Sequence, residues 1–331
     1  MVSAKSRVGA FLVTVFAMLP PLVLAAEASS PVSRQPAIIG LSRNSPMLGM
    51  AMLGGRLIGV GAYGKIVKAD FAVEGGLGQM VQVPSPLDVT LTSIASRSDG
   101  VCFAGGHETT ILRSIDSGET WEVLRTDPLG SPILAMMFLK EGIGVAVGGN
   151  GQVLTSEDSG ANWSLRKIVI EEDGFDFDPQ LFDVTQLSNG KLVASGEHGY
   201  VFFSDDLGQS WHQKSTGYEG PLFSIVEEPN GDIVAFGMSG NFVRSGDEGT
   251  NWVWGRLGIE DAIFSANIID GDVVLGGTGG LFAVLSKGAL HVTRLPTELQ
   301  VADFIRSASG KYVLSTNLGL RVVSVEQGIQ K

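Results

Sequence analysis

The chain has 331 residues, a formal net charge of −12 and one cysteine. A balance this acidic repels phosphate backbones and anionic head groups, which sets aside nucleic acid and membrane surfaces as partners and leaves basic partners open. One cysteine permits no disulfide within the chain, and Cys102, inside the apolar run 101–104, reads as a buried structural thiol.

The first 26 residues read as a secretory signal peptide. Lys5 and Arg7 form its basic end, residues 8–24 are apolar, and Ala25, Ala26 and Ala28 supply the small residues of a cleavage site. Pro20 and Pro21 break the apolar run, which argues against a retained membrane anchor. Residues 27–331 are then enough for one large all-β domain, with a charge of −14 once Lys5 and Arg7 are gone. That domain is expected to be soluble and monomeric on the exported side, in the periplasm or a thylakoid lumen.

Seven similar units follow. Each opens with a short apolar strand whose third residue is small or polar: Met47-Leu-Gly49, Leu91-Thr-Ser93, Ile133-Leu-Ala135, Leu181-Phe-Asp183, Leu222-Phe-Ser224, Ile263-Phe-Ser265 and Val301-Ala-Asp303. The starts lie 44, 42, 48, 41, 41 and 38 residues apart. A hairpin turn comes next, as at Asp99-Gly100, Asn189-Gly190 and Asn230-Gly231. The second strands are apolar on consecutive residues, which suits a sheet buried on both faces.

A third strand then runs into the pattern Ser-x-Asp-x-Gly-x-x-Trp, which occurs four times. Its marked residues are Asp116, Gly118 and Trp121; Asp158, Gly160 and Trp163; Asp206, Gly208 and Trp211; Asp247, Gly249 and Trp252. The carboxylate suits acceptance of turn N–H groups, the glycine tolerates positive φ, and the tryptophan is expected to begin the outer strand. Tryptophans 42, 48 and 41 residues apart fit one four-stranded blade per repeat. The expected fold is an all-β, seven-bladed β-propeller with antiparallel blades. The pattern decays at the chain ends, and the seventh unit stops at Glu326 and Gly328 with no room for an outer strand. Residues 37–41, apolar and otherwise unassigned, are expected to supply that strand and close the ring.

The four-fold pattern resembles the Asp box of bacterial neuraminidase repeats. Together with Gly61-Ala-Tyr-Gly64, Gly148-Gly-Asn-Gly151, Gly196-Glu-His-Gly199 and Gly237-Met-Ser-Gly240, it resembles the photosystem II stability/assembly factor family over residues 37–326. The resemblance implies an exported, non-enzymatic seven-bladed propeller that binds membrane-protein intermediates from the lumenal side. Photosynthetic members use a basic surface patch for this contact, whereas this chain is acidic. The partner implied is a membrane protein complex or its exported loop, of unnamed identity, and no cofactor is expected.

Strand order puts the second-to-third-strand turns and the blade crossovers on one face, which is the expected binding face. Around its pore it presents Tyr63, His107, Glu108, Asn150, Glu197 and His198, with Ser239, Thr278 and Asn317 at equivalent places. Two imidazoles and two carboxylates, at His107, Glu108, Glu197 and His198, suit a zinc site or simply decorate a solvated rim. The long crossover brings Glu171, Glu172, Asp173, Phe175 and Phe177 to the same face. It reads as a protein-binding loop, as a calcium loop through its aspartates, or as a solvated loop with its phenylalanines tucked under a blade.

A sialidase-like glycoside hydrolase is the alternative. The Phe/Tyr-Arg-Ile-Pro segment of sialidases is missing, and no arginine stands in the second-to-third-strand turns. Two carboxylates suffice for other glycosidases, and Asp183 and Asp303 are expected to point into the channel from opposite sides.

Overall fold

Tight turns dictate the order of strands in each sheet. In the computed structural model, which describes residues 45–71, 76–140, 142–172 and 175–324, Gly100, Gly190, Gly231, Gly271 and Gly310 hold φ between 83° and 90° where a unit's first strand turns into its second. Glycine takes this region without strain, so consecutive strands pair as antiparallel neighbours. Six sheets have four strands in simple sequence order, and the seventh has three described strands.

The inner strands are Met47–Leu53, Leu91–Ser96, Ile133–Phe138, Leu181–Gln186, Leu222–Glu227, Ile263–Ile269 and Val301–Arg306, each starting at its apolar triplet. Each packs on the next, and Val301–Arg306 packs on Met47–Leu53, which closes the ring. The molecule is a seven-bladed β-propeller. The closing strand expected at 37–41, the signal segment, and Glu326 with Gly328 lie outside the described residues.

The core is divided into layers between blades. Val145, Val147 and Val153 of blade three pack against Leu181, Leu192, Ala194 and Phe202 of blade four. Met47, Met50, Leu57 and Val67 of blade one pack against Val313 and Leu320 of blade seven, so the closure has its own apolar layer. Second strands such as Cys102–Gly106, Leu192–Gly196 and Ile233–Gly237 are buried along their whole length, which explains their consecutive apolar residues. Cys102 is fully buried, and burial pushes its thiol up to about 12, so it is inert packing at neutral pH.

The four Ser-x-Asp turns share one hydrogen-bond plan. Ser156 Oγ accepts the Gly160 N–H at 2.9 Å and donates to Asp158 Oδ1 at 2.9 Å, while Asp158 Oδ1 accepts the Asn162 N–H at 2.8 Å. Asp116, Asp206 and Asp247 repeat the plan with Thr120, Ser210 and Asn251. The tryptophan sits one residue before the outer strand instead of opening it: Glu122, Ser164, His212 and Val253 are the first strand residues. Its indole turns inward, and Trp163, Trp211 and Trp252 each donate Nε1–H to the turn glycine's carbonyl at 3.0–3.1 Å. Glycine is also required for packing here, because a Cβ at Gly118, Gly160 or Gly249 would overlap Ile58, Phe103 or Phe203 of the preceding blade. Asp116→Ala is therefore expected to lower the melting temperature by a few degrees through lost turn bonds. Thermal unfolding followed by circular dichroism checks this.

Channel mouth and the Gly-x-x-Gly face

The second-to-third-strand turns and the crossovers meet on one face through backbone hydrogen bonds. Gly64 N–H donates to Val89 O, Gly151 N–H to Pro179 O, and Gly240 N–H to Asp261 O, at 2.6–2.8 Å. The approach is close enough to explain both glycines of each Gly-x-x-Gly segment. A Cβ at Gly148 would overlap Pro132 O, and one at Gly199 would overlap Tyr218 O. The residue before the second glycine is left-handed in every segment: Tyr63, Asn150, His198 and Ser239 have φ of 53–57°. Blade two places Thr109 where the second glycine belongs, at φ 46°, and it fits because the facing residue is Gly130.

The sequence-predicted rim residues divide into exposed and engaged groups. Tyr63 is 70% exposed, and His107, Asn150 and His198 are exposed as well. Glu108 is half-buried, and its backbone carbonyl accepts the Asp127 N–H at 2.6 Å. Glu197 is committed to the fold: its Oε2 accepts the Gln180 N–H at 2.9 Å, just before its blade's inner strand. Thr278 Oγ1 and Asn317 Oδ1 do the same job for Ala262 and Gln300. The His107/Glu108 and Glu197/His198 pairs are not gathered into one site, and among the described residues no cluster of three or more His, Cys, Asp or Glu could hold a metal.

The long crossover is a hairpin where a loop was expected. Ile170–Glu172 pairs with Phe175–Phe177, with Glu171 opposite Asp176. Only Phe175-Asp-Phe177 alternates in the manner of a strand. Phe177 is a packing residue: its ring lies edge-on to His198 at 5.4 Å and near Tyr200 at 6.5 Å. Asp178 is paired with Lys167 at 2.6 Å. Asp173 lies outside the described residues.

Sequence reasoning missed a second feature, at the channel itself. Every inner strand carries a β-bulge at its second residue, so Leu48, Thr92, Leu134, Phe182, Phe223, Phe264 and Ala302 occupy equivalent positions. All seven are half-buried. A bulge re-aims a side chain, and here Phe182, Phe223 and Phe264 meet edge to face across successive blades at 5.1 and 5.3 Å. Inner strands of neighbouring blades approach one another around the channel, so these rings form an apolar collar one residue below the Gly-x-x-Gly face.

The third residues act as clamps between blades. Asp183 Oδ2 accepts Ser224 Oγ–H at 2.8 Å and the Ile225 N–H at 3.1 Å, both from the next blade. Ser224 Oγ in turn accepts the Ala266 N–H at 3.0 Å. Asp303 Oδ2 accepts the Met50 N–H at 2.9 Å and so ties the last blade to the first. Each aspartate also caps the next N–H of its own strand, Val184 at 2.8 Å and Phe304 at 2.7 Å. Both are half-buried. Desolvation pushes Asp303 up to about 7 and raises Asp183 too, and the Asp183 charge adds to the rise at Asp303.

The fold is shared with YCF48. A structure of YCF48 bound to D1 peptide is similar at a TM-score of 0.66 and 16% identity, covering 86% of this chain and 94% of that one. YCF48 from Cyanidioschyzon merolae is similar at 0.67 and 13%, covering 86% and 98%. The WD40 propeller domain of Doa1 is similar at 0.67 and 14%, covering 86% and 94%. Neither a protein-family model nor a curated protein matches the sequence. Identities this low carry the architecture that YCF48 and Doa1 have in common, and the YCF48 similarity runs through nearly all of the ring.

Proposed function

We propose that this chain is an exported, non-enzymatic propeller that holds a segment of a membrane-protein complex, as an assembly or stability factor. The observation that carries the reading is the shared fold with a YCF48 that was captured with a peptide of D1. The signal-like N-terminus supports work on the exported side, in the periplasm or a thylakoid lumen. The four Ser-x-Asp turns, read as Asp boxes, serve the blades: their carboxylates are held down by hydrogen bonds from the Thr120 hydroxyl, the Asn162 side-chain amide and the Asn251 N–H, at about 2 for Asp116, Asp158 and Asp247. Groups so fully ionised and so occupied have no acid–base task at neutral pH.

The hydrolase alternative loses its candidate pair. Asp183 and Asp303 serve as clamps between and within blades, held by the N–H groups of Val184, Ile225, Phe304 and Met50 and by the Ser224 hydroxyl. Carboxylates oriented in this way by the fold support a structural duty over that of a nucleophile or general acid aimed at a glycan.

Affinity purification of the tagged mature chain from detergent-solubilised membranes tests the reading. One membrane protein or complex is expected to co-elute in reproducible ratio and to be absent with an unrelated exported propeller as bait. Elution of the chain alone, together with turnover of an aryl glycoside that Asp183→Asn abolishes, would overturn it.

A further inference from the structure

In two inner strands the bulge residue is followed by a carboxylate. Asp183 follows Phe182, and Asp303 follows Ala302, so each acid lies one residue deeper in the channel than the collar position beside it. Among the described residues, neither acid has a basic partner. Asp183 accepts from Val184, Ile225 and Ser224, and Asp303 from Phe304 and Met50. The two acids form an acidic floor whose partners are neutral N–H and O–H donors, with no cation among them.

An aromatic ring over such a floor fits one kind of side chain, a long aliphatic stem that ends in a cation. The stem lies against Phe182, Phe223 and Phe264, the rings add cation–π attraction, and the head reaches the carboxylates. A wholly apolar occupant would bury the acids further from water without a partner, and an acidic one would be repelled. The net charge of −12 favours the approach of a cationic segment over longer range.

We propose that the channel mouth on the Gly-x-x-Gly face takes a lysine or arginine side chain from an extended segment of the partner protein. This rests on the client-binding reading above and supplies the chemistry of the contact.

Fluorescence anisotropy with a labelled heptapeptide, acetyl-Gly-Ala-Leu-Lys-Leu-Ala-Gly-amide, tests it on the mature chain. Replacing the central lysine by norleucine keeps the stem and removes the charge, and is expected to weaken binding about tenfold; glutamate there should abolish it. Phe223→Ala should weaken the lysine peptide by a similar factor and the norleucine peptide by less, because only the lysine loses cation–π attraction along with the stem contact. Its melting curve shows that the variant is folded. Asp303→Asn, compared at matched folded fraction, should reduce the preference for lysine over norleucine. Equal binding of the lysine and norleucine peptides, no binding at millimolar peptide, or indifference to Phe223→Ala would each overturn the proposal.

Membrane purification with the same variants separates this inference from the role it rests on. A client retained equally by the native protein and by Phe223→Ala keeps the client-binding role and removes the lysine socket. A lysine peptide that depends on Phe223, with no client from membranes, does the reverse.

Discussion

Gly199→Ala is expected to lower the melting temperature by about 10 °C, from a cost of about 3–5 kcal/mol. The new methyl would overlap the carbonyl oxygen of Tyr218, a backbone atom that no rotamer change can move aside, and φ at Gly199 is +67°. Gly190→Ala is the matched control. Its φ is +89° with nothing within 4 Å of the added carbon, so it bears only the conformational cost of about 1–2 kcal/mol. Differential scanning calorimetry of the two variants separates crowding from backbone strain. Equal shifts would mean that the crossover yields, and that the close approach between turn and crossover is not rigid.

The pH dependence of stability should be set largely by Asp303 and Asp183, the two carboxyls that burial raises. The folded pKa of Asp303, about 7, is above the unfolded value, so the folded state holds the proton more tightly. Its contribution is therefore complete below about pH 4 and is lost as the pH rises through about 7, by up to about 4 kcal/mol. Asp116, Asp158 and Asp247, held at about 2, act in the opposite sense. What they add is present above about pH 4 and is lost as the pH falls through about 2. Maximum stability is expected near pH 4–5, with a decline toward pH 8. Asp303→Asn removes the charge, and its amide nitrogen cannot accept one of the two N–H groups, from Met50 and Phe304, that the carboxylate now satisfies. The variant should be less stable at pH 5 by about 1–3 kcal/mol and should show a flatter profile above it, with the part due to Asp183 remaining. An unchanged slope between pH 5 and 8 would assign that titration to another group.

The repeat grammar was legible because it is local. Hairpin glycines, consecutive apolar residues in second strands and the Ser-x-Asp turns all act within a few residues, and they placed all seven inner strands at their observed starts. What remained hidden depends on contacts between blades. Leu181-Phe182-Asp183 reads as an ordinary strand opening, and nothing in it marks the bulge that brings Phe182 to Phe223 of the next blade. Asp183 and Asp303 could be sent toward the channel by their position, but their partners, Ile225 and Met50, are 42 and 253 residues away in sequence. The acceptor role of Glu197 toward Gln180 spans 17 residues and a whole hairpin, so nothing local separates it from the rim residues beside it. The crossover hairpin is faintly marked in the sequence, because Phe175-Asp-Phe177 is too short a run of alternation to set a strand apart from a loop.

The central claim is that clients bind on the Gly-x-x-Gly face. Tyr63 on that face and Ile115 in a Ser-x-Asp turn on the other are each 70% exposed, so a benzoylphenylalanine at either site is equally open to solvent. Irradiation in intact cells, followed by purification of the tagged chain, should give a discrete adduct to a membrane-complex subunit from position 63 and none from position 115. The same adduct from position 115, with none from position 63, would contradict the account.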